Sequence, residues 1–184
     1  ELKPEEKDLL EVIVAWDGLA IIVHPANGVE ELSLEQVRNI FDGNIDNWAT
    51  LGRASHAITV VTREEGSGTR GAFQEMVMKS NRISREAIVQ DSNGTVREIV
   101  AGDPQSIGYI SLGLVSDRVK AVRFDGVEPS FENIEQKEYR LVRPFLFVTN
   151  GAPNAAAQEF INFVLSRRIQ EQVRHDGLIP IFKD

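Results

Sequence analysis

The chain has 184 residues, with 28 acidic side chains against 20 basic ones, a formal net charge of -8 and no cysteine. Lack of cysteine excludes a disulfide scaffold, an iron–sulfur cluster, a cysteine zinc site and a cysteine nucleophile, and an acidic balance argues against a nucleic-acid surface. With 42% hydrophobic residues and no apolar run near the roughly 18 residues that span a bilayer, the composition is that of a globular protein with a real core.

The opening Glu1-Leu2-Lys3-Pro4-Glu5-Glu6 is acidic and polar. It is not a signal peptide, so the sequence reads either as cytosolic or as lacking a targeting segment removed upstream. Glu5-Glu6-Lys7-Asp8 suits the first turn of a helix. Two apolar strands are then expected, Leu10 to Val14 and Leu19 to Val23, interrupted by Trp16-Asp17-Gly18 and closed by a Pro25-Ala26-Asn27-Gly28 turn. Ser33-Leu34-Glu35-Gln36 is a capping box, with Leu32 and Val37 as its hydrophobic staple. Leu34, Val37, Ile40 and Phe41 form the apolar face of the helix that follows, and Asp42-Gly43-Asn44 stops it.

Ile58 to Thr62 predicts a strand, Arg63 to Gly71 a polar glycine-rich turn, and Ala72, Phe73, Met76 and Val77 an amphipathic helix. Ser84 is expected to cap another short helix. Asn93-Gly94-Thr95 opens a helix with Val96, Ile99 and Val100 on its buried face and Gly102 at its end. Ile107 to Ile110, Val119 to Phe124 and Leu141 to Val148 read as strands, the last with Pro144 at an edge or bend. A single long helix is expected from about Pro153 to about His175, with Phe160, Ile161, Val164, Leu165, Ile169 and Val173 inward. Strands alternating with helices indicate an α/β fold.

The sharpest chemistry lies in Thr62-Arg63-Glu64-Glu65-Gly66-Ser67-Gly68-Thr69-Arg70-Gly71, between a strand and a helix. The first N–H groups of a helix lack intrahelical acceptors and, with the helix dipole, favour an anion. Gly66 and Gly68 admit a ligand close to the backbone. Ser67 and Thr69 add hydroxyls, and Arg63 and Arg70 add planar forks suited to a tetrahedral oxyanion. The bland alternative is a capped helix with solvated charges.

Gly66, Gly68 and Gly71 also satisfy the dinucleotide pattern G-x-G-x-x-G. Its fit is poor, because polar residues separate the strand from the first glycine and neither Glu86 nor Asp91 stands clearly at the end of a second strand. A P-loop fails because Ala72-Phe73 replaces Lys-Ser/Thr, and a nucleophile elbow fails because Glu65 replaces its first glycine. Asn93 starts a second polar helix cap; an ordinary capping turn is its simpler reading. Asp17, if buried, needs a donor, and an arginine of the anion loop is one candidate, with a plain turn aspartate as the other. His24, His56 and His175 have no metal-ligand spacing, so neither a metal nor a cofactor is expected.

These residues resemble the phosphate-binding proteins of ABC transporters. The run Ile58 to Phe73 is similar to that family's signature loop. Ala15 to Val23, Leu34 to Gly43 with Asn47-Trp48, Ile107 to Ser111, and Arg143 to Phe147 resemble further family segments in the same order. The resemblance implies a type II periplasmic-binding-protein-like fold, with phosphate held between two lobes that close by hinge motion and no catalytic step. By position, Arg63, Ser67, Gly68 and Thr69 would bind phosphate. Arg70 and Asn93 would contribute directly or behind them, and Asp17, which the match does not assign, is a further candidate.

Family members carry a further segment ahead of the part equivalent to Glu1, and it supplies the other wall of the phosphate site. The resemblance therefore implies one complete lobe, residues 24-140, plus the C-terminal part of the first lobe, residues 1-23 and 141-184 with the hinge strands. It further implies an ABC permease partner, an extracytoplasmic location, and dimerisation or strand exchange through the incomplete lobe. Sulfate or molybdate is the alternative ligand, and a dinucleotide-binding enzyme using Gly66, Gly68 and Gly71 is the alternative class.

Overall fold

A computed structural model describes residues 9–182. The acidic Glu5 to Asp8 stretch lies outside the described residues. The chain divides into two compact units, one of residues Glu1–Asp17 with Arg143–Asp184 and one of Gly18–Val142.

The second unit is built on strands in the order β4-β3-β5-β1-β6. These are β1 (Leu9–Val23), β3 (Thr59–Arg63), β4 (Ile88–Gln90), β5 (Ser106–Ser111) and β6 (Lys120–Ala121). β3 runs parallel to both β4 and β5, and β1 is antiparallel to β5 and β6. β2 (Glu31–Leu32) and β7 (Arg123–Phe124) make a separate parallel pair. The helices are α1 (Leu34–Phe41), α2 (Gly68–Phe73), α3 (Asn93–Gly102) and α4 (Phe131–Glu135). α1 carries the capping box read from Ser33 and Gln36. β5 is buried along its whole length, as expected of a strand covered on both faces. β3–α2–β4 is one parallel crossover, and α3 leads back from β4 across β3 to β5. The C-terminal ends of β3 and β4 therefore deliver the starts of α2 and α3 side by side.

Beneath those starts lies an aromatic cluster. Phe73 stacks on Tyr109 at 4.0 Å, and Phe41 lies 4.6 Å from Phe73 and 5.6 Å from Tyr109. All three rings are fully buried. Gly108 of β5 is required by packing: a Cβ there would stand 2.8 Å from Val96 and 3.2 Å from Val100, both on α3.

The first unit holds the leading half of β1, together with β8 (Val142–Asn150), α5 (Ala155–Val164), α6 (Arg167–His175) and β9 (Ile179–Pro180). β8 and β9 both pair with β1. Gln170, fully buried on α6, donates to the carbonyls of Val14 and Val164 and accepts from the Ile181 amide.

Several expectations are corrected. β1 is one 15-residue strand rather than two. Trp16-Asp17-Gly18 does not break it, because Asp17 is compensated by Arg143 and Gly18 lies under Ile134 and Leu112, where a side chain would collide. The helix of the glycine-rich loop begins at Gly68, not beyond Gly71, since Ser67 caps it, and it passes into a π turn at Gln74–Met78. Ser84 caps no helix; its hydroxyl accepts from the Glu86 amide within a turn. Val119 to Phe124 forms two dipeptide strands that pair with different partners. The long C-terminal helix is two, parted at Leu165–Ser166, with Asn154 as the first N-cap and Pro153 just before it. Phe160 is 56% exposed rather than inward. β4, β9 and α4 were not anticipated. Each is short and lacks a clear apolar period.

Candidate functional site

Arg63 ends β3 and is 9% exposed. A buried guanidinium must place its five N–H donors, and this one does so at the meeting point of two loops. Nε and Nη2 donate to the two carboxylate oxygens of Glu64, each at 3.0 Å. Nη1 donates to Asn93 Oδ1 at 2.9 Å, and Nη2 also donates to the Asp91 carbonyl at 3.2 Å. Those four bonds leave one Nη1 N–H. The fork is thus held rigidly by the loop after β3 and the first residue of α3.

Ser67 is the N-cap of α2, its hydroxyl oxygen accepting from the Arg70 amide at 3.3 Å. That bond uses the oxygen and leaves the hydroxyl proton for an acceptor. Gly66, at φ 89°, turns the chain into the cap. Gly68 is exposed at the first helical position, whereas Ser67 and Thr69 are buried. A backbone N–H at this position has no intrahelical acceptor, and without a side chain it can be approached closely. Arg70 reaches back to donate to the Arg63 carbonyl at 2.6 Å. Asn93 begins α3 behind the Ser92 cap, which forms a box with Thr95.

The electrostatics follow from these contacts. The hydrogen bond from Arg63 holds the partly exposed Glu64 carboxyl below its ordinary range, with its own backbone amide adding to the effect. Burial pushes the Tyr109 hydroxyl up, while its 2.8 Å hydrogen bond to Thr62 opposes that shift. Tyr109 also accepts from the Arg63 amide at 3.4 Å, so the floor of the site is tied to its last strand residue. Beside the loop opens a cleft of about 610 Å³ whose lining includes Glu64, Glu65, Arg70, Arg82 and Arg85.

Arg63, Ser67, Gly68, Thr69, Arg70 and Asn93 all belong to the second unit, and the hydrogen bonds connect Arg63 to Asn93, Arg70 to Arg63 and Ser67 to Arg70. Asp17 belongs to the first unit. It is fully buried and accepts from Nε and Nη2 of Arg143 at 3.0 and 2.9 Å. The expectation that an arginine of the anion loop pairs with it, or that it is a turn residue, is corrected: its donor is Arg143 and it lies within β1. Asp91 directly follows β4, which the sequence did not reveal as a strand.

Glu64 was missed as the counterion of Arg63, because neighbouring residues on a strand point to opposite faces; Glu64 pairs only because β3 ends at Arg63. The Thr62–Tyr109 link was also missed, since 47 residues separate its ends. Among the described residues no group of three or more His, Asp and Glu side chains could hold a metal ion.

The arrangement suits a small oxyanion. It offers a hydroxyl, helix-start amides and a fixed guanidinium within one connected patch, all donors and all polar.

The PBP superfamily domain model matches residues 2–168. The phosphate-binding protein PstS of Bacillus subtilis (strain 168) is 35% identical over 179 residues, covering 96% of this chain and 59% of that protein. The chain thus spans about three fifths of that curated relative. A Clostridium perfringens protein solved with bound phosphate superposes with a TM-score of 0.88 at 42% identity, over 98% of this chain and 76% of its own. An ABC-type phosphate transport receptor from Vibrio cholerae gives a TM-score of 0.88 at 34% identity, over 98% of this chain and 77% of its own. The chain belongs to the PBP superfamily, and its α/β fold is that of a solute-binding protein.

Proposed function

We propose that this member of the PBP superfamily carries the phosphate-binding loop of a solute-binding protein that serves an ABC importer. The observation that carries the reading is the Arg63 guanidinium, buried at the end of β3 and fixed by Asn93 beside the Ser67-capped start of α2. The names of the relatives support phosphate as the ligand.

On this reading phosphate oxygens accept from the Ser67 hydroxyl, from the amides of Gly68 and Thr69, and from Arg63. The helix dipole and the guanidinium charge favour the anion without any catalytic step. Arg70 braces the Arg63 backbone and Asn93 aims its side chain. Asp17 acts at a remove, by fixing Arg143. Net charge of -8 does not oppose this, because recognition rests on local donors rather than on the global field.

The unit Gly18–Val142 is then the second lobe, and residues 1–17 with 143–184 belong to the first, which dimerises or exchanges a strand with a second copy. The protein works outside the cytoplasmic membrane beside a permease. Among the described residues no helix is long and apolar enough to cross a membrane.

Calorimetric titration with phosphate, with sulfate as control, tests the reading. Phosphate-selective heat supports it. Equal affinity for sulfate transfers the site to oxyanions in general. Absence of both, in this chain and in one joined to the remaining segment of a relative, removes it. Ultraviolet difference titration with NAD tests the glycine pattern of Gly66, Gly68 and Gly71, and saturable binding there replaces the phosphate reading.

A further inference from the structure

Tyr109 of β5 carries a hydroxyl that packing does not need. Its ring is fully buried, stacked on Phe73 at 4.0 Å and 6° and tilted against Phe41 at 5.6 Å. A phenylalanine would fill that space, and burying a hydroxyl among rings costs free energy unless the group is hydrogen-bonded. Here it is bonded twice, to Thr62 Oγ1 at 2.8 Å and from the Arg63 amide at 3.4 Å. Among the described residues the tyrosyl proton meets no other acceptor. It therefore goes to Thr62, and a lone pair of the tyrosyl oxygen takes the Arg63 N–H.

The course of β3 explains why a hydroxyl stands there. β3 pairs with β5 at Thr59 with Ser106 and at Val60 with Ile107, and the pairing goes no further. Thr59 donates to the Gln105 carbonyl at 3.1 Å, on the β5 side. Arg63, four residues on in a strand of period two, turns its amide to that same side, beyond the last paired residue. The Tyr109 hydroxyl takes the place of a strand carbonyl. The Arg63 carbonyl is held in the same manner, by Nη1 of Arg70 at 2.6 Å. Side chains thus fix both backbone polar groups of the residue that ends β3. Through Phe73, the last residue of α2, the same tyrosine also bears on the helix whose start carries Gly68.

We propose that Tyr109 is a positioning residue of the anion site, its hydroxyl setting the place of the Arg63 backbone and its ring the place of α2. It touches no ligand and acts through Arg63, Thr62 and Phe73. One side chain, 46 residues from Arg63 in sequence, thereby anchors both halves of the glycine-rich loop. The inference rests on the reading of Arg63 as an anion donor.

Tyr109→Phe removes the hydroxyl and keeps the stack. Two readouts follow it in the 184-residue chain. The first uses no ligand. The Arg63 guanidinium N–H resonances, sharp in NMR while Glu64, Asn93 and the Asp91 carbonyl hold the fork, are expected to broaden or shift. The second is calorimetric titration with inorganic phosphate, where affinity is expected to fall about tenfold. Thr62→Val breaks the same link from its other end, so the double variant loses less than the sum of the two. Tyr139→Phe is the control for a bond that serves stability alone. That hydroxyl is also buried and donates to the Leu19 carbonyl at 2.7 Å. Its loss lowers the denaturant midpoint and leaves the Arg63 resonances and the phosphate affinity in place. Should Tyr109→Phe lose its native circular dichroism, Thr62→Val carries both readouts.

Unchanged Arg63 resonances in Tyr109→Phe, an equal change in Tyr139→Phe, strictly additive losses in the double variant, or unchanged affinity where the wild type binds would overturn the proposal. A wild-type chain that binds no phosphate overturns the phosphate reading instead, and the resonances, which need no ligand, still decide the role of Tyr109.

Discussion

Gly108→Ala is expected to loosen the joint on which the proposed anion site stands. The new methyl would lie 2.8 Å from Val96 Cγ1 and 3.2 Å from Val100 Cγ2, where carbon atoms pack at about 3.5–4.0 Å. Neither valine can swing aside, since both are fully buried and a helix leaves valine essentially one rotamer. α3 must therefore retreat from β5 by some 0.5–1 Å, at an overpacking cost of about 1–3 kcal/mol. In a chain of this size that is a fall in Tm of roughly 2–12 °C. Gly102→Ala is the matched control, because its methyl meets nothing within 4 Å and the residue ends a helix. It is expected to stabilise by about 0.4–1 kcal/mol. Thermal unfolding followed by circular dichroism distinguishes the two. The start of α3 carries Asn93, which holds Arg63, so phosphate affinity is expected to fall in Gly108→Ala and to stay level in Gly102→Ala. A Gly108→Ala protein as stable as the wild type would refute the packing argument.

Arg63→Ala removes the guanidinium from the loop and is expected to cost about 2–5 kcal/mol of anion affinity, some thirtyfold to several thousandfold by calorimetry; unchanged affinity would remove Arg63 from the site. Asp17→Ala takes away the carboxylate that holds the Arg143 fork, whose side chain is only 17% exposed. Breaking a buried pair on one side costs about 3–5 kcal/mol, and a denaturant midpoint equal to wild type would contradict it. Glu64 has its carboxyl pKa lowered by Arg63, so its pairing is fully present above the ordinary value of 4.5 and is lost as pH falls through the lower folded value. Carboxyl-resolved NMR titration is expected to give a midpoint below 4.5 that returns toward it in Arg63→Ala. A midpoint already at the ordinary value would break the Arg63–Glu64 link.

What was legible in the sequence is what local rules control. The capping box at Ser33 and Gln36 depends on residues three apart, and it forms as read. The strand and helix that flank the glycine-rich loop were visible from β-branched and amphipathic runs, and the hydroxyl and guanidinium donors of the loop could be read off its residue types. Even there the helix boundary was misplaced. Ser67 and Gly68 look like turn residues, yet a serine N-cap makes the next glycine the first residue of the helix.

What tertiary structure decided depends on groups far apart in the chain. Asp17 looked like a break because an aspartate and a glycine usually interrupt a strand; Arg143, 126 residues away, neutralises it and lets β1 run through. Phe160 looked like core because helical period alone cannot say whether anything lies opposite the apolar face. The junction of Arg63 with Asn93 spans 30 residues and exists because two parallel crossovers bring the starts of α2 and α3 together. The sequence by itself determined which donors this protein owns and how its helices begin. Only the fold decided which donors meet, because a hydrogen bond has a reach of about 3 Å and sequence separation says nothing of distance once strands pair.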